Sequence, residues 1–328
     1  MWRMRMKIFV TRKIPEPGLD LLRKEYELEV YKYDRVPTKE EIIKGLKGKD
    51  GLLCLLTDPI DREVISSEPK LKMIASYAVG YNNIDIQAAT KRGIPVSNTP
   101  DVLTDTTAEM TWALLFSVAR RIIEGDRFTR AGKFTGWAPM LMLGQDISNK
   151  TLGIIGAGRI GTAFALKSKG FNMKVLYVDE RQNTILEREL GAKKVSFDDI
   201  LKKSDYISVH VPLIPSTHHL IGEKELQLMK KNAVLINTSR GPVIDEKALV
   251  KALKEKRIFG AGLDVYEHEP MIEKELLELD NVVLQPHSAS ATTETRTKMA
   301  IMAAENMMAG LSGKIPPNCI NPEVFKKK

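Results

Sequence analysis

Cysteine is scarce: Cys54 and Cys319 are the only two in 328 residues. Neither has the neighbours of a zinc motif and two thiols make no disulfide framework, so no metal site is expected and a reducing cytoplasm is the expected setting. Long apolar runs are missing as well. No stretch reaches the roughly 20 residues that span a bilayer. The basic start, Met1 to Lys7, runs into Ile8-Phe9-Val10-Thr11-Arg12, too short and too soon charged for a signal segment. Charge of one sign gathers nowhere. Fifty Lys+Arg against 42 Asp+Glu leave +8, yet the signs interleave in Lys39-Glu40-Glu41 and Glu187-Arg188-Glu189. Such a surface is solvated rather than built for phosphates, so neither nucleic acid nor membrane is an expected partner. Low-complexity tracts and short repeats are absent too.

What is present reads as βα units. Short apolar runs at Lys7 to Thr11, Gly51 to Leu56, Leu71 to Ser76 and Ile94 to Val96 alternate with amphipathic stretches such as Pro17 to Glu25 and Ile86 to Arg92. A long apolar helix through about Arg121 leads to a second series, with strands at Lys150 to Ile155, Lys174 to Val178, Tyr206 to Val211, Ala233 to Asn237, Gly260 to Val265 and Val282 to Leu284. A final helix, Thr293 to about Leu311, can return to the first series. The pattern predicts an α/β protein of two domains with parallel sheets.

Gly156-Ala157-Gly158-Arg159-Ile160-Gly161 fits G-x-G-x-x-G. The motif alone is weak. Here it directly follows the apolar strand Leu152 to Ile155 and opens a helix, the context a dinucleotide-binding turn requires. Gly156 allows the tight turn, Gly158 the approach of a pyrophosphate, and Gly161 close helix packing, with the helix N-terminus facing the phosphates. The next strand ends at Asp179, followed by Glu180 and Arg181. A carboxylate there accepts ribose hydroxyls and repels a 2′-phosphate, so NAD is expected ahead of NADP, with Arg181 blunting the preference.

Three later strand ends carry polar residues. One runs into Thr238-Ser239-Arg240-Gly241, one into Asp264 and then Glu269-Pro270, and one into Pro286-His287. In an open parallel sheet ligands sit outside the carboxyl ends of strands, so an Arg, a Glu and a His delivered there can share one cleft. Each alone has a plain structural reading. His210 also ends a strand and competes with His287 for the role of acid; His218, His219 and His268 have no supporting pattern.

With these pieces in place the sequence resembles the D-isomer-specific 2-hydroxyacid dehydrogenases, closest to their glyoxylate/hydroxypyruvate reductase branch. The resemblance covers essentially the whole chain. It rests on Tyr77 to Asp85, Asn98 to Thr104, Gly153 to Gly161, Thr238 to Gly241, Gly262 to Pro270 and Pro286-His287. It implies catalytic roles for Arg240 (carboxylate clamp), His287 (proton donor) and Glu269 (partner of the histidine). It implies substrate contacts from the backbone of Val79 and Gly80 together with Arg240. The cofactor contacts it implies, beyond Gly156 to Gly161 and Asp179 to Arg181, are Thr107, His210, Val211, Pro212, Thr238, Ser239, Arg240, Asp264, His287, Ser288 and Ala289. Ser288 and Ala289 stand where the family usually has an apolar residue and then Gly.

The expected architecture is therefore two doubly wound parallel-sheet domains. A flavodoxin-like substrate domain would comprise 1–100 and 288–328, and a Rossmann NAD-binding domain 101–287. The expected reaction is reduction of a small 2-keto acid, glyoxylate or hydroxypyruvate first, to the D-2-hydroxy acid. D-3-phosphoglycerate oxidation and a non-catalytic, corepressor-like nucleotide sensor are the alternatives. The apolar helix Ala108 to Ala119 and the segment Phe134 to Leu143 carry more apolar bulk than one core face requires, so a homodimer is expected. By resemblance Trp137 would reach toward the neighbour's substrate pocket.

Overall fold

The computed structural model describes residues 5–326. The chain divides into two compact units, one holding residues up to Leu103 together with those from Ala291 onward, the other Thr104–Ser290. The first contains strands β1 (Lys7–Val10), β2 (Glu27–Val30), β3 (Gly51–Cys54), β4 (Met73–Ser76) and β5 (Val96–Ser97). They form one parallel sheet in the order β2-β1-β3-β4-β5, the flavodoxin-like arrangement. β1, β3 and β4 are buried almost throughout, as strands covered on both faces must be. Side chains fix the starts of three of the intervening helices. Thr38 and Glu41 form a reciprocal capping box, and Asp61 and Asp85 accept from the N–H groups of Val64 and Ala88. The long helix Thr293–Leu311, capped by Thr292, packs on Glu16–Arg23 within this unit.

The second unit holds β6 (Thr151–Ile155), β7 (Lys174–Val178), β8 (Lys193–Lys194), β9 (Tyr206–Val209), β10 (Val234–Asn237), β11 (Gly260–Leu263) and β12 (Val282–Leu284). All pair in parallel, in the order β12-β11-β10-β9-β6-β7-β8, with the direction of winding reversing at β6. This is Rossmann topology. Successive residues of one strand feed opposite faces. Ile154 and Ile236 join the core on one side, Ile155 and Leu235 the core on the other.

The helix Thr104–Ala119 covers β10 and β11 and also meets the helix that follows the glycine turn, Arg159–Leu166. Its Trp112 ring lies 4.9 Å from Phe164 and 5.3 Å from Phe171, and its indole N–H donates to the Phe164 carbonyl at 3.0 Å. That double packing accounts for much of the apolar circumference noted in the sequence. The bulk of the Phe134 to Leu143 segment stays outside: Trp137 is 84% exposed and Met140 75%.

Two strands and one helix lie outside the apolar pattern of the sequence. β2 and β8 are sheet edges, half-exposed or exposed and rich in Glu and Lys, so they carry no apolar run. The helix Ile122–Arg130 buries none of its residues and so leaves no core stripe. Several strands also stop earlier than the apolar runs do; β3 ends at Cys54, and β9 and β11 end two residues before Val211 and Val265.

Candidate active site

The site begins where the second sheet reverses direction. β6 ends at Ile155, between β7 and β9, and its ladder runs on through the N–H of Gly156 to the Val178 carbonyl and the N–H of His210 to the Ile155 carbonyl. Gly156 has φ +93°, and a Cβ there would lie 2.8 Å from the His210 backbone carbon. Only glycine fits on both counts. Gly161 is held by a different constraint: a Cβ would run into the Gly156 carbonyl oxygen. Gly158 caps the helix Arg159–Leu166 without any side-chain cap, and a Cβ on it would meet open space. First-turn N–H groups without a capping side chain, beside a turn in which Gly156 and Gly158 carry no Cβ, suit a pyrophosphate. The residues present thus fit a dinucleotide.

Asp179 directly follows β7 and is half-buried. Its Oδ2 accepts the Ala157 N–H at 2.8 Å and its Oδ1 the Arg181 N–H at 3.1 Å, while Glu180 and Arg181 are exposed. Asn183 was not singled out in the sequence. Its side-chain amide donates to the Ala157 carbonyl at 2.8 Å and to Thr162 Oγ1 at 2.7 Å, and its Oδ1 caps the next helix at Leu186. This one residue ties the glycine turn to the end of β7.

On the other side of the reversal, His210 follows β9. Its Nε2 meets Ser208 Oγ at 2.8 Å and its ring packs on Phe164. Desolvation pushes its pKa down to about 3, so the imidazole is neutral at physiological pH. A neutral ring that shares its Nε2 with a hydroxyl has no imidazolium proton to give. Val211 and Pro212 follow it in the loop beyond β9.

β10 delivers Thr238, Ser239 and Arg240. Asn237, buried at the strand end, fastens this turn. Its Oδ1 accepts the Ser239 N–H at 3.0 Å and hydroxyl at 2.8 Å, and its Nδ2 donates to the Arg240 carbonyl at 2.9 Å. Thr238 Oγ1 lies 2.9 Å from Thr111 Oγ1, which joins the turn to the helix that also carries the buried Thr107. Asn237 was visible in the sequence only as a polar residue closing an apolar strand. Arg240 is half-buried and donates to the Ser239 carbonyl at 2.8 Å. Desolvation holds its guanidinium below the usual arginine pKa, an effect that the charge of Glu269 opposes.

Glu269 and His287 come together. Glu269 Oε2 lies 2.8 Å from His287 Nδ1, and its Oε1 accepts the Tyr266 N–H at 3.1 Å. Desolvation alone would raise the Glu269 pKa. The hydrogen bond and charge of His287, the Tyr266 N–H and the charge of Arg240 outweigh it, and the net shift is downward. An ionised carboxylate only accepts, so Nδ1 carries the proton in this contact and Nε2 is left for another partner. Asp264, fully buried beyond β11, accepts the N–H groups of Ser288 at 2.7 Å and Ala289 at 2.9 Å. Its pKa is raised by burial, and these two bonds pull against that shift. Ser288 and Ala289 thus use their backbone to fasten the loop that bears His287.

Val79 and Gly80 belong to the other unit, just past the carboxyl end of β4, where the Val79 carbonyl accepts the Asn98 side-chain amide at 2.8 Å.

Known proteins carry the same pattern. Residues 112–289 match the family model described as D-isomer specific 2-hydroxyacid dehydrogenase, NAD binding domain. A glyoxylate reductase of Korarchaeum cryptofilum is 53% identical over 325 residues, 98% of each chain. The crystal structure of the TT0316 protein of Thermus thermophilus superposes with a TM-score of 0.91 at 42% identity, covering 96% of this chain and 100% of that one. An NADPH-dependent glyoxylate/hydroxypyruvate reductase of Sinorhizobium meliloti, solved with NADP and malonate, gives 0.88 at 30% identity over 99% of each chain. With full-length similarity at this level, the chain belongs to the D-isomer specific 2-hydroxyacid dehydrogenases.

Proposed function

We propose that this enzyme reduces glyoxylate or hydroxypyruvate to the D-2-hydroxy acid, with NADH as its preferred coenzyme. The observation that carries the reading is the 2.8 Å contact between His287 and an ionised Glu269, on loops at the same sheet edge as the dinucleotide turn. The nicotinamide, when bound, supplies the hydride. Arg240 grips the substrate carboxylate with its planar fork and polarises the keto oxygen. His287 gives the Nε2 proton to that oxygen as the carbon accepts the hydride, and takes it back in the oxidative direction. Glu269 orients the ring and stabilises its charged form. Asp264, Asn237 and Asn183 position the three loops.

In this reading Thr107, His210 to Pro212, Thr238, Ser239, Ser288 and Ala289 line the coenzyme site. The unit around β1 to β5 acts as the substrate domain, with the N–H groups of Val79 and Gly80 as its substrate contacts. A second copy completes the assembly through the exposed Phe134 to Leu143 segment, which light scattering at micromolar concentration tests. The deciding experiment for the reaction follows NADH and NADPH oxidation with glyoxylate, hydroxypyruvate, pyruvate and phosphohydroxypyruvate. Turnover highest with the first two is expected; a preference for the phosphorylated acid would replace the assignment.

A further inference from the structure

Among the described residues outside the candidate active site, one cluster of side chains has the composition of a metal site. His218 and His219 lie in the loop after β9, and Glu267 lies in the loop after β11. Their ligand atoms all fall within 4.8 Å of one another, and the three residues belong to the same unit. His219 Nε2 already meets Glu267 Oε1 at 2.6 Å, and the two imidazoles lie with centroids 4.1 Å apart and planes tilted by 31°.

The donors are held in place by more than this contact. Glu267 presents only Oε1 to the histidines, because Oε2 accepts the Glu246 N–H at 3.1 Å. In return the Glu246 carboxylate accepts the Glu267 N–H at 2.8 Å and the Glu273 N–H at 2.9 Å. An outer residue that fixes a ligating carboxylate is the usual support of a metal site. His219 has a left-handed φ of +50°, and its N–H is bound to the Pro242 carbonyl at 2.8 Å, which fixes where its ring leaves the backbone.

We propose that His218, His219 and Glu267 bind a divalent transition metal, Zn²⁺ foremost, with water in the fourth position. Two imidazoles and one carboxylate are a borderline donor set that suits Zn²⁺ and not Mg²⁺ or Ca²⁺. Zinc bonds of about 2.0–2.1 Å place neighbouring donors roughly 3.3 Å apart. The exposed His218 closes the remaining gap by side-chain rotation, and the ion takes the place of the direct contact between His219 and Glu267. The bound ion cross-links the loop after β9 to the loop after β11, two residues before Glu269. The site stands independently of the keto-acid reading, since none of its three ligands is assigned to that chemistry.

No sequence motif marks it. The histidines are adjacent, an uncommon spacing for a chelate, and the carboxylate lies 48 residues beyond His219.

The test uses tag-free, chelator-treated full-length protein, titrated with Zn²⁺ in a calorimeter and with Co²⁺ while visible absorption is followed. One equivalent bound, intense d–d bands of low-coordinate Co²⁺ and an upward thermal shift are expected. His218→Ala and Glu267→Gln should each weaken binding by about tenfold or more, and His268→Ala, a neighbouring histidine outside the cluster, should not. Because Glu267→Gln also touches the loop packing, the exposed His218→Ala is the decisive variant. No binding by the parent, or undiminished binding by His218→Ala, overturns the site.

Discussion

Asp264 holds His287 by the backbone that follows it: its carboxylate accepts the N–H groups of Ser288 and Ala289, while His287 sits at a left-handed φ of +53°. The ring is thereby presented to Glu269 from one fixed direction. In the proposed reaction, a proton donor held this way has little orientational freedom left to lose when substrate binds. His287→Ala should accordingly cut kcat for reduction by about 10²–10⁴-fold with NADH binding retained. His210→Asn should weaken coenzyme binding and leave the pH profile in place, because burial already keeps that imidazole neutral. Stopped-flow turnover and fluorescence titration of NADH check both. Near-normal kcat in His287→Ala would move the acid elsewhere.

The Glu269 carboxylate is a charge partner whose own pKa is lowered in the folded protein. For an acid of this kind, the stabilisation is present above the unfolded carboxylate value and is lost as pH falls through the folded one. Glu269→Gln keeps a hydrogen-bond acceptor and removes the negative charge beside His287. Reductive kcat at neutral pH should therefore fall on the order of tenfold or more, with NADH binding retained. An unchanged kcat would show that the reaction does not need the Glu269 charge.

Arg240→Lys retains a cation and loses the planar fork. Its turn is fastened by Asn237 whichever side chain follows, so folding should be preserved. KM for the keto acid should rise and kcat should fall together, the signature of an interaction used in both ground and transition states. A change confined to thermal stability would make Arg240 a structural cation.

How far the sequence foretold this depends on what kind of constraint each residue is under. The glycine turn was legible because backbone geometry and steric crowding leave Gly156 and Gly161 no substitute, and such constraints appear as residue identity. The buried strands were legible for a similar reason, since both their faces need apolar side chains. β2 and β8, as exposed edges, need neither. Asn183 and Asn237 act by bonding to backbone atoms that any residue could supply, so their role appears only once the loops are folded together. Asp264 had been placed by family resemblance opposite the coenzyme; that it also fastens Ser288 and Ala289 is information carried by the fold.

Trp112 provides a check on packing. It is nearly buried, contacts three phenylalanine rings and donates its indole N–H to the Phe164 carbonyl. Trp112→Ala should cost about 3–5 kcal/mol of stability. Trp112→Phe should cost less, since it keeps most of the ring contact and gives up the hydrogen bond, worth about 1 kcal/mol net. Denaturant midpoints at constant slope measure both; equal losses would mean that the hydrogen bond, not the ring volume, dominates.

The proposed preference for NADH rests on Asp179. Each of its carboxylate oxygens already accepts one backbone N–H, from Ala157 and from Arg181, so the group is anchored at the end of β7. A carboxylate has about four acceptor positions, and those left over can take the ribose hydroxyls. A 2′-phosphate brought to the same place meets like charge, screened in part because Asp179 is only half-buried. The exposed Arg181 offers that phosphate a partner and narrows the difference. NADH should exceed NADPH in kcat/KM by about tenfold, equivalent to roughly 1.4 kcal/mol. Asp179→Ser should narrow or reverse the ratio by removing the repulsion while Arg181 remains, and Arg181→Ala should widen it. Steady-state kcat/KM with both coenzymes in the parent and the two variants decides the matter; a parent that prefers NADPH would mean that Arg181, not Asp179, controls this end of the site.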